Sequence, residues 1–346
     1  MAGLLKALRV LGPTHLWKLR RAQALGTPIE RGFFATRVIQ CLFNLGFFDE
    51  LTREGRVDLP DFALRFDLDL RILRLLCDYL YSLHFLDRRG ENTYLPGRHT
   101  RILCEVLRGT FDIIYAYEDL FHHLEAMARK EKAYGKQVKR REEFVGKGSG
   151  QSAKLLPFPM AADLIRRKGF QKILDLGCGD GEFLIGLAKA DENVRGYGVD
   201  ISAEVVELAS RRILEAGLAD RIQIMVGDIF DLEPIRTQVG QPDAATSFYV
   251  LHEFLWNGPE VVIDLLRKLR KTFPGMPLIT CEITQVQPEQ FRRHPSIILE
   301  HHLFHDLSQQ GSIPRQEWKR IFVESGYSLE EEVRMDFSEM SIFHLC

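Results

Sequence analysis

The run Lys172-Ile-Leu-Asp-Leu-Gly-Cys-Gly-Asp-Gly-Glu182 constrains the fold of this chain more than any other stretch. Ile173, Leu174 and Leu176 form a short apolar run of the kind buried in a parallel sheet. Three glycines follow at every second position. Gly177, Gly179 and Gly181 let the backbone turn tightly and let a ligand approach it closely. Helical periodicity resumes from Phe183 to Ala190. Strand, glycine turn and helix in this order open a Rossmann-like, nucleotide-binding α/β unit.

The acidic residues around the turn select the ligand. A dinucleotide site offers bare N–H groups to a pyrophosphate, whereas here Asp175 and Asp180 flank the turn and would repel one. A ligand that carries an ammonium and a sulfonium would be attracted, which points to S-adenosylmethionine. Two further runs agree. Tyr197-Gly-Val-Asp200 places a carboxylate at a strand tip, where such folds hold a ribose diol, with Ile201 beyond it. Ile222 to Val226 lead into Gly227-Asp228-Ile229, where Asp228 can accept from an adenine amino group and Ile229 can pack on the ring. The cofactor set expected is therefore Asp175, Gly177, Cys178, Gly179, Asp180, Gly181, Asp200, Ile201, Asp228 and Ile229. A flavin, NAD or non-binding unit is the competing reading of an isolated glycine turn.

A length of 346 residues suggests two domains, and 45% hydrophobic content is enough for a sizeable core. The net charge of −2, without a dominant basic stretch, argues against a nucleic-acid partner. No apolar run reaches membrane-spanning length and no signal-peptide layout opens the chain, so no membrane role is expected. The six cysteines lack metal or disulfide spacing, which fits a cytoplasmic setting.

Residues 1–105 read as a mainly helical domain. Met1 to Leu25 alternate apolar residues with Lys and Arg, interrupted at Gly12-Pro13; Phe33 to Leu45 and Arg71 to Leu86 give two further helices. Residues 85–95 read as a hairpin, which makes a winged helix of the whole. A recognition helix at Arg65 to Asp78 would carry Asp67, Asp69 and Asp78, so dimerisation and covering of the substrate fit better than DNA reading. Leu4, Leu5, Leu8, Val10 and Leu11 would suit a partner subunit, giving a homodimer through this domain. Residues 106–150 read as a linker helix and a polar segment from Tyr134. That segment is either a solvated connector or a lid in which Gly148-Ser149-Gly150 supplies N–H donors. Residues 151–346 form the α/β domain, with strands expected at 172–177, 194–200, 222–228, 244–250 and 276–283 and a terminal pair near 327–335 and 338–346.

The fourth strand runs into Leu251-His252-Glu253, so His252 is expected beside the cofactor's methyl group as a general base or a metal ligand. Leu299 to Gln310 hold a second cluster. His301 and His305 share one helix face at i,i+4, and His302 and Asp306 share the adjacent one. Imidazoles at this spacing can hold iron, zinc, nickel or copper. His305 is favoured as the inward residue because Ile298 lies two turns back on its face. A solvated polar face is the competing reading.

The winged helical region, the Asp-Leu-Gly-Cys-Gly-Asp-Gly turn and Leu-His-Glu after the fourth strand resemble class I methyltransferases of the O-methyltransferase type. The resemblance implies a seven-stranded mixed sheet, S-adenosylmethionine as donor, a small-molecule substrate and His252 as base. Glu253-Phe254 stands where that family has Asp-Trp, and the segment ending His305-Asp-Leu-Ser-Gln-Gln310 has no role in its plain mechanism. With Tyr134-Gly and Gly148-Ser-Gly150, these departures are similar to the metal-dependent C-methyltransferases of α-keto acids from natural product biosynthesis. That likeness implies a mononuclear metal, iron or zinc, held by His252 and His305 with His302 and Gln310 as further candidates. It also implies Glu253, or a water near it, as proton acceptor. The alternatives are a metal-free O-methyltransferase of a phenol or hydroxyl with His252 as base, and a cofactor-binding regulator without catalysis.

Overall fold

A computed structural model describes residues 2–293, 298–335 and 338–346; the side chains of Leu4, Leu5 and Leu8 lie outside those described. The chain divides into two compact units, Met1–Phe111 and Asp112–Cys346.

In the first unit one long helix, Ala2–Asn44, is broken only at Gly12, whose φ of 72° is non-helical. Helices Phe47–Glu54, Leu59–Arg65 and Leu70–Ser82 follow, with the strand β1 (Val57–Asp58) between the first two. Asp58 and Asp69 cap the later two helices by accepting from Asp61 N and Ile72 N. The hairpin β2 (Leu86–Arg89) and β3 (Thr93–Pro96) pairs with β1 in the order β1-β3-β2. A core of Leu42, Phe47, Phe62, Leu80 and Tyr94 closes the unit, so the winged-helix pattern is complete.

The second unit is built on a seven-stranded mixed sheet in the order β6-β5-β4-β7-β8-β10-β9. Its strands are β4 (Lys172–Leu176), β5 (Arg195–Asp200), β6 (Ile222–Val226), β7 (Ala244–Phe248), β8 (Leu278–Ile283), β9 (Leu329–Met335) and β10 (Met340–Leu345). The first five are parallel, and β10 runs antiparallel to both β8 and β9. The near-continuous apolar run in β4 reflects cover on both faces. Leu174 and Leu176 enter one core cluster with Val262 and Leu266, while Ile173 enters the other with Leu164 and Leu184. Crossovers between parallel strands place all the strand ends that carry Asp175, Asp200 and Asp228 at one edge, where such sheets bind ligands. No helix among the described residues is long and apolar enough to cross a membrane.

Of the two readings of the segment from Tyr134, the one in which Gly148-Ser149-Gly150 supply N–H donors to a ligand is corrected. These residues lie inside the helix Glu142–Leu155, so their N–H groups are bound within it and cannot serve a ligand. Three glycines within this helix disfavour it intrinsically by roughly 1 kcal/mol each relative to Ala. A Cβ on Gly150 would lie 3.4 Å from Asp180 Oδ1, an ordinary contact, so packing does not demand glycine there.

Candidate active site

The glycine turn has the conformation its residues suggest. Gly177, Gly179 and Gly181 have φ of 73°, 53° and 76°, which L side chains rarely adopt. The N–H groups of Gly177 and Cys178 both donate to Val199 O, at 2.8 and 3.0 Å, and bind the turn to β5. Asp200 completes the join: its Oδ2 accepts from Gly179 N at 3.1 Å and its Oδ1 from Ser202 N at 3.0 Å. Asp228 Oδ1 accepts from Phe230 N at 2.8 Å and fixes the third strand end. Together these ends line a cleft of about 530 Å³, a size suited to a small ligand. Nine of the ten residues expected to meet the cofactor line it; Gly181, at the start of the following helix, does not. Ile201 remains exposed there, whereas Ile229 is buried.

The two carboxylates of the turn are unequal. Asp180 is ion-paired with Arg212, which also binds Glu182, so much of its charge is spent inside the protein. Asp175 is 2% exposed and accepts from Thr246 Oγ1, at 2.7 Å. Burial, helped by the Asp200 charge and opposed by the Thr246 hydrogen bond, pushes Asp175 up to about 7. The folded pKa therefore exceeds the unfolded one. The folded chain holds the extra proton above the unfolded pKa, and the associated stability is lost as pH rises towards 7. A cationic ligand favours the ionised form. S-adenosylmethionine affinity is thus expected to rise between pH 6 and 8, by at most about tenfold per unit. Asp175→Asn should flatten that slope in calorimetric titrations; an unchanged slope would remove Asp175 as its source.

Beyond β7 the backbone bends sharply at Tyr249, whose φ of 60° is unusual for a bulky residue. The 3₁₀ turn Leu251–Asn257 then carries His252 and Glu253. His252 is 4% exposed, and its Nδ1 is 2.8 Å from Glu282 Oε2 in the middle of the sheet. Glu282 Oε1 accepts from Leu251 N at 2.9 Å, so the carboxylate is held at both oxygens. Burial pulls the His252 pKa down, but the Glu282 hydrogen bond and charge, with Glu253 adding, leave it raised. Nδ1 is thereby committed as the donor and Nε2 is left for chemistry.

The helix Ile298–Leu307 brings two histidines to this point. The His305 ring centroid is 5.0 Å from that of His252 at an interplanar angle of 80°, and the His301 ring is 5.9 Å from His305. Burial, with the neighbouring histidines adding, lowers His301 to about 4 and His305 well below its ordinary value. Both are therefore neutral near pH 7, with lone pairs available. His302, a metal candidate from sequence, packs on Phe291 instead, and its ring nitrogens have no hydrogen-bond partner among the described residues. Ile298 packs in a cluster with Phe291, and both Ile298 and His305 are buried. Gln310, the other candidate, has its amide engaged at both ends. Its Nε2 donates to Glu253 Oε1 at 2.7 Å and its Oε1 accepts from Tyr117 OH at 3.2 Å. It positions neighbours and is not a free ligand.

Arg140 completes this network. Its Nη1 donates to Glu253 Oε1 at 3.0 Å and to Tyr117 OH at 3.1 Å, while its Nε meets Glu142. Arg140 and Glu253 both line the cofactor cleft, so the network stands at one end of it. Sequence reading missed Glu282, Tyr117 and Arg140. Only Glu282 left a signal there, as a charge inside the apolar strand Leu278-Ile-Thr-Cys-Glu-Ile283. Arg140 sits in an ordinary charge run, and only the fold singles it out.

Residues 168–326 match the family described as Methyltransferase domain. The chain is 24% identical over 318 residues to 2-ketoarginine methyltransferase of Streptomyces arginensis, covering 90% of this chain and 89% of that one. It is 22% identical over 243 residues to Methyltransferase ungE' of Aspergillus campestris, covering 70% of each. Among solved structures, the mitomycin 7-O-methyltransferase MmcR superposes with a TM-score of 0.67 at 17% identity, over 95% of this chain and 99% of that one. Human N-acetylserotonin methyltransferase in complex with S-adenosylmethionine gives 0.69 at 17% identity, over 94% and 97%. Both likenesses show the same fold.

Proposed function

Because this chain has the class I methyltransferase fold and is an S-adenosylmethionine-dependent methyltransferase, we propose that it methylates the β-carbon of a small α-keto acid with the help of one metal ion, in natural product biosynthesis. The observation that carries this reading is the pairing of His252 with His305 beside Arg140. Two neutral-capable imidazoles suit iron or zinc, and a carboxylate behind Nδ1 is the usual support of a metal-binding histidine. The cation Arg140, which lines the cleft, favours an acidic acceptor. The likeness to a 2-ketoarginine methyltransferase adds support.

The donor set fits a two-histidine site, His252 with His305, next to His301. A divalent cation held there supplies Lewis-acid polarisation of the acceptor's keto oxygen. Arg140 meets the acceptor carboxylate through Nη2, since its Nη1 and Nε are taken. Glu253 Oε1 is bound by Arg140 and Gln310, so Oε2 is the atom that takes the β-carbon proton. The carbon then bonds to the methyl group as the methyl–sulfur bond breaks, leaving S-adenosylhomocysteine. The protein contributes chiefly by positioning the two reactants.

Chelation of the purified protein, and separately His305→Ala, are each expected to lower activity on α-keto acids by on the order of 100-fold. Activity that survives both would sink this reading. The second reading, metal-free O-methylation with His252 Nε2 as base, rests on the His252–Glu282 pair, which is also a base-orienting arrangement. It expects His305→Ala to leave methylation of a phenol within about threefold of wild type.

We further propose a homodimer formed through the first unit. On its long helix Val10, Trp17, Leu25, Ile29, Phe33 and Phe34 are all exposed, more apolar surface than a monomer ordinarily leaves uncovered. Sedimentation should give twice the chain mass, and Ile29→Glu with Phe33→Glu should return it to one. In the same unit Arg65 is paired with Glu50 and Asp61, and Arg88 with Asp78, which supports the absence of a nucleic-acid role. Six unpaired cysteines support a cytoplasmic setting.

A further inference from the structure

At the sheet edge formed by β9 and β10, outside the lining of the cofactor cleft, Glu330, His344 and Cys346 converge with their ligand atoms within 4.8 Å of one another. The strand register shows how. His344 lies opposite Glu331 and Leu345 lies opposite Leu329, so Glu330 is the extra residue of a β-bulge. Regular alternation would send Glu330 to the face opposite Glu331. The bulge turns it back towards the face that carries His344, where re-aiming a side chain is a recognised use of such a bulge. Cys346, two residues after His344, shares that face.

The three groups are close and held in place. Cys346 Sγ lies 2.9 Å from Glu330 Oε2 and 3.7 Å from His344 Nε2, and His344 Nδ1 lies 3.4 Å from Glu330 Oε2. Zinc bonds of about 2.0–2.3 Å in a tetrahedron would space such atoms roughly 3.3–3.6 Å apart. Cys346 is fixed by Ser328, whose N and Oγ donate to Cys346 O while Cys346 N donates to Ser328 O. The His344 side chain is 1% exposed, yet its Nδ1 makes no hydrogen bond among the described residues. Glu330 and Cys346 are exposed, which leaves a path in from solvent. Lys168 binds the other oxygen of Glu330, at 2.5 Å, and leaves Oε2 for a ligand.

We propose that Glu330, His344 and Cys346 bind one zinc-class divalent cation, with water completing its coordination. A thiolate, an imidazole and a carboxylate form a borderline donor set that suits zinc or cobalt, whereas calcium and magnesium prefer oxygen alone. β9 is the outermost strand, and the cation ties its bulge to the end of β10. The site is independent of the one proposed at His252 and His305, whose candidate ligands include no thiol.

Cobalt(II) alone, titrated into the metal-free full chain, separates the two sites, because a thiolate ligand produces a near-ultraviolet charge-transfer band that imidazoles do not. The expected result is one equivalent of that band in wild type and in His305→Ala, and none in Cys346→Ser. Glu330→Gln should weaken cobalt binding by on the order of tenfold or more. A wild-type protein without the band, a band that survives Cys346→Ser, or an unaltered affinity in Glu330→Gln would each overturn the site. None of these outcomes bears on His252 and His305, which the activity of His305→Ala reads separately.

Discussion

Gly177→Ala is expected to weaken S-adenosylmethionine binding by on the order of 10²–10³-fold, measured by calorimetry or equilibrium dialysis. Two costs combine. The residue has φ 73°, and an L side chain in that left-handed region costs about 1–2 kcal/mol. An added Cβ would also lie 2.5 Å from Val250 Cγ2, closer than any real contact. Overpacking of this kind costs roughly 1–3 kcal/mol. Both Gly177 and Val250 line the cleft, so relief by movement of either changes the surface that meets the cofactor. The two costs can be separated. Val250→Ala in the Gly177→Ala background should recover the packing share and leave the backbone strain. Gly179→Ala, where φ is 53° and the space is open, should show the strain alone, about tenfold. Wild-type affinity in Gly177→Ala would mean that the turn tolerates a side chain and is not held for ligand approach.

Glu282→Gln should lower turnover by on the order of 10²–10⁴-fold while leaving cofactor affinity unchanged. The carboxylate accepts at both oxygens, from Leu251 N and from His252 Nδ1, with no exposure at all. A carboxamide can accept on one side only. Its NH₂ must face either a backbone donor or the imidazole, and the second choice turns His252 to the other tautomer. Loss of the correct tautomer in a comparable His–carboxylate pair costs about 10⁴ in turnover. The acidic limb of the pH–rate profile should move to lower pH. Burial alone lowers His252, and the Glu282 charge is what reverses it. This shift separates a positioning role from a merely structural one. His252→Ala should be at least as damaging, by about 10³-fold or more, with no gain from added base. Metal-assisted and metal-free readings agree on these outcomes, so they test the geometry of the pair rather than the choice of acceptor.

Much of the fold was legible because its signals are local. Alternation of Ile173 with Leu174 and Leu176, the three spaced glycines, and a carboxylate at each of three successive strand ends all act within a few residues. The structure places all of those cofactor residues except Gly181 on a single cleft. Gly148-Ser149-Gly150 misled for the same reason. Three glycines locally argue against a helix, yet the helix Glu142–Leu155 forms.

The candidate catalytic end was far less legible. His252 could be named because it follows a recognisable strand. His305 was named too, on the position of Ile298 two turns back, and both are buried. The rotation of a short helix with apolar and polar residues on most sides is decided by what it packs against. Tyr117, Arg140, Glu253 and Gln310 form one hydrogen-bonded group although up to 193 positions separate its directly bonded members. Gly311 makes part of this closure possible. Its N–H donates to His252 O, and a Cβ there would lie 2.2 Å from Leu255 Cβ.

By itself, then, the sequence determined the class of sheet, the glycine turn and the methyl donor, since backbone conformation and periodicity are written in neighbouring residues. Tertiary structure alone decided that Asp180 would spend its charge on Arg212 and that Asp175 would titrate near neutrality. It also decided that His252 would be backed by Glu282. Charge state and orientation depend on burial and on partners brought from distant strands, and no local pattern encodes them.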